Sequence, residues 1–232
     1  MKVAVIIPFR DRGRDPLRLA NLTRVAEHWA HYDCEIIVSS DGRDGDAQFN
    51  RSAAYNRAVN QTDADIFIFS ESDIIISHDQ IDRAVGLATD APGMVIPFSW
   101  FMALTEADSR RVRAHEVDPV DCEKHPVKGH RGSIGAVNVV SRQSYELVGG
   151  FDEKFEGAWY DDDAMKIAFD VAAGPTQWVE GSAYHLYHLS GGKGSHLSPE
   201  DRKATARNRL RLRLYQTAST PEQIRALTTG VA

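Results

Sequence analysis

The chain opens on an unbroken apolar run, "KVAVIIPF" (2–9), closed by a proline, which is the pattern of a strand buried on both faces. A helical period follows in "DPLRLANLTRVAEHWA" (15–30). There Leu17, Leu19, Leu22, Val25, Ala26 and Trp29 fall near one face, with Asp15 as N-cap and Pro16 at the first helical position. The alternation repeats. "CEIIVSS" (34–40) reads as a strand ending in the turn-rich "DGRDGD", and "AQFNRSAAYNRAVNQT" (47–62) as an amphipathic helix. "ADIFIFS" (64–70) is a third strand, residues 79–90 a helix, and "GMVIPFSW" (93–100) a further strand. Strands alternating with helices predict βαβ units: an α/β fold built on a mostly parallel sheet flanked by helices.

Residues 105–135 lose the period and read as a polar, loop-rich excursion carrying His115, His125 and His130. "SIGAVNVVSRQSYELVGGFDEKF" reads as a strand, a helix and a Gly-Gly turn, and "DDDAMKIAFDVAAG" (161–174) as a helix with three acids in its first turn, where the dipole favours them. "TQWVEGSAYHLYHLSGGKGSH" reads as a strand pair running into a glycine-rich loop, and residues 199–216 as a basic helix begun by Ser198-Pro199. With no repeat, linker or low-complexity tract, one domain over 1–198 is expected, with a basic helical tail over 199–232 packed on it.

Composition narrows the function classes only a little. The net charge is −6 over 232 residues, which argues against a general nucleic-acid binder. Cys34 and Cys122 have no metal-site spacing and suit a reduced compartment. No stretch is long and apolar enough for a signal peptide or a membrane span, so a cytoplasmic protein is expected.

Chemistry concentrates where a parallel sheet binds ligands, beyond the carboxyl ends of its strands. "PFR", "SSDG" and "SESD" all fall there. Glu71 and Asp73 flank a serine directly after a buried strand, and an ionised carboxylate in such a place demands a positive partner. They can be a solvated strand-end pair; alternatively, with Arg10, Arg12 and Arg51 at neighbouring strand and helix ends, they form a site where a metal bridges carboxylate and phosphate. His185 and His188 lie three apart before "SGGKGSH"; continued along a strand they would face opposite ways, so at most one joins a given metal. Imidazole, carboxylate and phosphate oxygens together suit Mn²⁺, with Mg²⁺ the alternative. Asp161, Asp162 and Asp163 follow Trp159 and Tyr160, an aromatic ledge beside carboxylates that suits a sugar, and one of the acids can serve as general base. The basic tail reads as a solvated helix face or as a positive wall for an anionic ligand.

In this order the motifs resemble nucleotide-sugar glycosyltransferases of the GT-A fold, most closely the β-1,4-galactosyltransferase and family 2 group. The shared pieces are "PFRDR" (8–12), "FNRSAAYN" (49–56), "FSESD" (69–73), the Gly-Phe turn and acid run of "GGFDEKFEGAWYDDD" (149–163), and a histidine after the next strand. The resemblance implies that Pro8, Phe9, Arg10, Arg12, Arg51 and Ser72 contact the donor nucleotide and that Asp41 holds uracil. It implies Asp73 as main metal carboxylate, His188 or His185 as second ligand, and Glu71 in the place of the family's first aspartate. Trp159, Tyr160 and Gly135 would receive the acceptor, and Asp162, flanked by Asp161 and Asp163, would be the base. The implied enzyme is metal-dependent and inverting, uses a UDP-sugar, and acts on a glycan, a protein hydroxyl or a modified base. Two departures stand out: Glu71 itself, and the loss of the Gly-Gly-Glu before the aspartates, reduced here to Tyr160. The animal enzymes' membrane anchor and lectin-like extensions have no counterpart, which implies a soluble protein of bacterial or phage type. A retaining transferase resembling the polypeptide N-acetylgalactosaminyltransferases, a sugar-nucleotide nucleotidyltransferase and a silent sugar-binding module are the rival readings.

Overall fold

The protein is described by a computed structural model covering residues 1–230; the last two residues of the 199–232 tail lie outside the described residues. The first half follows the expected alternation: β1 (Val3–Pro8), α1 (Pro16–Trp29), β2 (Glu35–Ser39), α2 (Arg51–Val59) and β3 (Ile66–Ser70). Then come β4 (Ile74–Ile76), α3 (His78–Asp90), β5 (Met94–Ile96), β6 (Trp100–Leu104) and α4 (Glu106–Arg113). After a 3₁₀ turn (Pro119–Asp121) follow β7 (Lys124–Pro126), β8 (Val137–Ser141), α5 (Arg142–Val148), α6 (Asp161–Ala172), β9 (Gln177–Trp178), β10 (Ser182–His185), α7 (Pro199–Thr217) and α8 (Pro221–Thr229).

Local chemistry sets the boundaries. Asp15 caps α1 by accepting the Leu17 amide at 3.0 Å, as its position before proline predicts. Helix α2 starts at Arg51, not at 47, because Asn50 turns its side chain onto the Ala53 amide and fixes the N-cap there. Ser198 and Asp201 close a reciprocal capping box on α7.

The main sheet has the order β2-β1-β3-β8-β5-β9. Pairs β1–β2, β1–β3 and β5–β9 are parallel, whereas β8 runs antiparallel to both β3 and β5. Every residue of β3 is buried, as a strand covered on both faces requires. Tyr55, Phe69 and Phe151 form an aromatic cluster beneath its carboxyl end, with ring centroids 4.7–5.0 Å apart.

Beyond α3 the structure differs from the sequence expectation in three ways. The run 93–100 is not one strand: β5 (Met94–Ile96) belongs to the main sheet, and Trp100 begins β6 in a second sheet. Residues 105–135 hold α4 and β7, not loop alone: Thr105 caps α4, whose own composition is too polar to show an apolar face. In addition, β9 and β10 do not pair with each other. The chain turns at Gly181 (φ +144°), and β10 leaves for a second sheet of order β4-β10-β6-β7. A Cβ at Gly181 would lie 2.4 Å from the Gln80 side chain, so only glycine allows this passage. The basic helix α7 packs on α6 and is tied to the segment before it by a buried ion pair, Arg211 to Asp152 at 2.6 Å, to which the Tyr215 hydroxyl adds a 2.9 Å bond. Among the described residues no helix is long and apolar enough to cross a membrane.

Candidate active site

Strands β1, β2 and β3 end on the same side, and the site lies beyond them. Asp73 follows β3 and is buried at 4% exposure. His185 ends β10, whose pairing with β4 (His185 opposite Ile74) sets the ring beside Asp73. Past His185 the chain leaves the extended path. The Leu186 amide donates to the Asp73 carbonyl at 2.8 Å, the Tyr187 amide to the Ser109 hydroxyl at 2.8 Å, and the Leu189 amide to Asp15 at 2.7 Å. Asn21 donates to the Tyr187 carbonyl at 3.3 Å. This stapled turn swings His188 back toward His185, so the expectation that the two rings face apart does not hold. Their Nε2 atoms are 3.0 Å apart, and they lie 3.9 Å (His185) and 2.9 Å (His188) from the Asp73 oxygens.

One ligand atom from each of the three residues falls within 4.8 Å of the others. His188 Nδ1 donates to the Leu189 carbonyl at 2.7 Å, which fixes the ring and leaves Nε2 for the cluster. Asp73 Oδ1 is buried and has no hydrogen-bond partner. Burial opposes ionisation of Asp73, but the His188 charge and hydrogen bond hold its carboxyl well below the usual range. Burial likewise works against the His188 imidazolium, yet Asp73 keeps it above its ordinary value, while burial lowers His185. Two imidazole nitrogens and a buried carboxylate with an unpartnered oxygen, brought together here, fit a divalent cation such as Mn²⁺. Glu71 is not brought to this cluster: its carboxylate lies against the Arg51 guanidinium.

Arg51 gathers the acids instead. It holds Asp161 at 2.6 Å and Asp162 at 3.0 Å in addition to Glu71. Burial and the neighbouring Asp161 raise the Asp162 carboxyl to about 6, against the pull of Arg51. Asp163, one residue on, points to solvent. Gly135 faces Asp162 so closely that a Cβ there would lie 2.5 Å from its carboxylate oxygen. Antiparallel β8 makes that approach possible: the Glu71 amide donates to the Ala136 carbonyl at 2.8 Å, so the start of β8 lies beside the end of β3. Trp159 is 40% exposed, and both it and Tyr160 adopt positive φ (71° and 74°), a strained entry into α6. Asn208 of α7 holds this entry. Its amide donates to the carbonyls of Glu156, Ala158 and Trp159 at 2.9–3.2 Å, and its oxygen accepts the Glu156 amide.

The residues expected at the nucleotide behave differently. Pro8 is buried in register with Ser39, and the Phe9 amide donates to the Ser39 carbonyl at 2.9 Å. Asp41 has no exposed side-chain surface: Arg10 Nε donates to it at 2.8 Å, and the Asn50 and Arg43 amides at 2.9 and 3.3 Å. Arg12 lies between Asp46 (3.1 Å) and Asp201 (3.6 Å). Ser72 is buried between the two acids. Asn21, Ser109 and Asn208 escaped the sequence reading, and Asp15 was legible there only as the N-cap of α1; the long-range hydrogen bonds alone reveal what the four hold.

Comparison of the sequence with protein-family models and with curated proteins finds no match. Solved structures do match. The chain has the GT-A fold of nucleotide-sugar glycosyltransferases. The catalytic domain of Drosophila β1,4-galactosyltransferase 7 with xylobiose superposes with a TM-score of 0.58 at 14% identity, covering 95% of this chain and 83% of that one. A mutant of that enzyme with manganese, UDP-Gal and xylobiose gives 0.53 at 14% identity, covering 88% and 79%. Glucosyl-3-phosphoglycerate synthase from Mycobacterium tuberculosis with Mn²⁺, UDP-glucose and phosphoglyceric acid gives 0.52 at 12%, covering 96% and 79%.

Proposed function

We propose that the protein is a metal-dependent, inverting glycosyltransferase that moves a sugar from a UDP-sugar to an acceptor hydroxyl. The observation that carries this reading is the pairing of two chemistries at one strand end. Asp73, with His185 and His188, forms a cation-binding set; two residues earlier, Glu71 is tied through Arg51 to Asp162, a carboxyl near neutral titration. The manganese and UDP-sugars bound to two proteins of the same fold support it.

Asp73, His185 and His188 would hold the cation, which when bound supplies positive charge to the departing diphosphate. Asp162 takes the proton of the acceptor hydroxyl as that oxygen forms its bond to the sugar's anomeric carbon and the bond to the diphosphate breaks. A carboxyl titrating near 6 is ionised at neutral pH yet basic enough to accept the proton. Trp159 offers a ring face to the acceptor sugar, and Asp161 with Arg51 keeps Asp162 oriented.

With Mn²⁺, a panel of UDP-sugars and water as acceptor, NMR of the freshly released sugar reads the stereochemistry. A β-configured first product from an α-linked donor is expected. An α-configured product overturns inversion, and neither turnover nor binding of any UDP-sugar overturns the transferase reading.

A further inference from the structure

The arginines nearest the strand ends are all committed to carboxylates of the protein itself: Arg10 to Asp41, Arg12 to Asp46 and Asp201, Arg51 to Glu71, Asp161 and Asp162. Moving Arg10 or Arg51 onto a phosphate would take the cation from a buried acid, Asp41 above all, and Arg12 already spans Asp46 and Asp201. A diphosphate therefore needs another cation beside the metal-binding trio.

Arg18 fits that need. It sits in the first turn of α1, which Asp15 anchors to the histidine-bearing turn. One guanidinium N–H donates to the Leu189 carbonyl at 3.2 Å, the same oxygen that receives His188 Nδ1–H. The Arg18 side chain thus stands one carbonyl away from a cluster ligand, and its charge is felt by Asp73, His185 and His188 alike. Among the described residues no carboxylate comes within 4 Å of it, and Leu189 is its only side-chain hydrogen-bond partner. Most of its five N–H donors remain available in the fork geometry that matches phosphate oxygens. The backbone beside it is open as well, for Gly191 has no side chain, and a Cβ there would come within 3.7 Å of the guanidinium.

We infer that Arg18 is the residue that grips the donor's diphosphate, its free N–H groups taking the oxygens of the phosphate that leaves the sugar. The inference rests on the nucleotide-sugar reading above for the identity of the ligand, but the site itself is defined by pyrophosphate chemistry.

Calorimetry on the full chain separates the two. Mn²⁺ is titrated alone, and the Mn²⁺-loaded protein is then titrated with inorganic pyrophosphate and, separately, with UDP. Arg18→Ala should leave the Mn²⁺ affinity within about twofold and weaken pyrophosphate and UDP by about 10- to 100-fold, the range for a charge-assisted contact. Arg18→Lys, which keeps the charge but not the fork, should fall between, and Arg209→Ala, an exposed arginine of α7, should match the wild type. Undiminished pyrophosphate binding by Arg18→Ala overturns the inference. So does wild-type protein that takes no pyrophosphate, an equal loss in Arg209→Ala, or loss of Mn²⁺ binding in Arg18→Ala, which would place the effect on the histidine turn. Arg18-dependent pyrophosphate binding without UDP binding would leave this site standing and remove the nucleotide reading.

Discussion

Replacing Asp73 by asparagine preserves shape and removes the only anion from the cation-binding trio. In the wild type its unpartnered Oδ1 and both Nε2 atoms converge, so the divalent ion should bind the folded state alone and stabilise it. At a Mn²⁺ concentration about a hundred times Kd that linkage is worth about 2.7 kcal/mol. For a chain of this length each kcal/mol moves the midpoint by about 2–4 °C, so a rise of about 5–11 °C is expected. Loss of a partner that merely orients a ligand costs about 10- to 100-fold in metal affinity, and loss of a ligand should cost at least the upper figure. The same Mn²⁺ concentration would then lie near Kd and contribute about 0.4 kcal/mol, a shift of roughly 1–2 °C. His185→Gln should lose most of the shift too, since both rings meet Asp73, whereas Glu71→Gln should keep it because Glu71 lies on Arg51. Thermal unfolding with and without Mn²⁺ measures all four proteins. A wild-type-sized shift in Asp73→Asn would refute the cation site.

Other consequences are equally direct. With Mn²⁺ saturating, the turnover rate should rise about tenfold per pH unit up to about 6 and level off above it, because only ionised Asp162 accepts a proton. Asp162→Asn should lose about 10²–10⁴ in rate, and a mutant profile that keeps the same limb would assign that limb elsewhere. Gly135→Ala drives a Cβ to 2.5 Å from the Asp162 carboxylate, so turnover should fall while Mn²⁺ affinity stays unchanged; equal turnover would show that Asp162 moves aside without consequence. Asn208→Ala strips four hydrogen bonds from residues 156–159 and should cost about 2–3 kcal/mol in denaturant unfolding. A loss under about 0.5 kcal/mol, the level of an ordinary surface change, would mean that the strained Trp159–Tyr160 turn holds itself.

The βαβ core was legible because its signals are local. The all-apolar β1 and β3, the Asp15–Pro16 helix start and the acid-led α6 each follow from neighbouring residues, and parallel strands then bring "PFR", "SSDG" and "SESD" to one edge. Types of candidate residue were legible for the same reason: carboxylates directly after a buried strand and a run of three aspartates behind two aromatic residues stand out in the local sequence. What sequence could not decide is which charge meets which. Arg10, Arg12 and Arg51 read as free cations at a ligand site, yet each is closed onto carboxylates 20 or more positions away. Strand periodicity set His185 and His188 on opposite faces; the turn that reunites them is held by Asp15 and Asn21 of the α1 region and by Ser109 of α4. A separation of 78 to 174 residues leaves no local periodicity to read. Fold class thus followed from short-range pattern and burial, whereas the site's electrostatics were decided only when the tertiary structure set which cation meets which carboxylate, since a buried ion without favourable contacts is costly to keep.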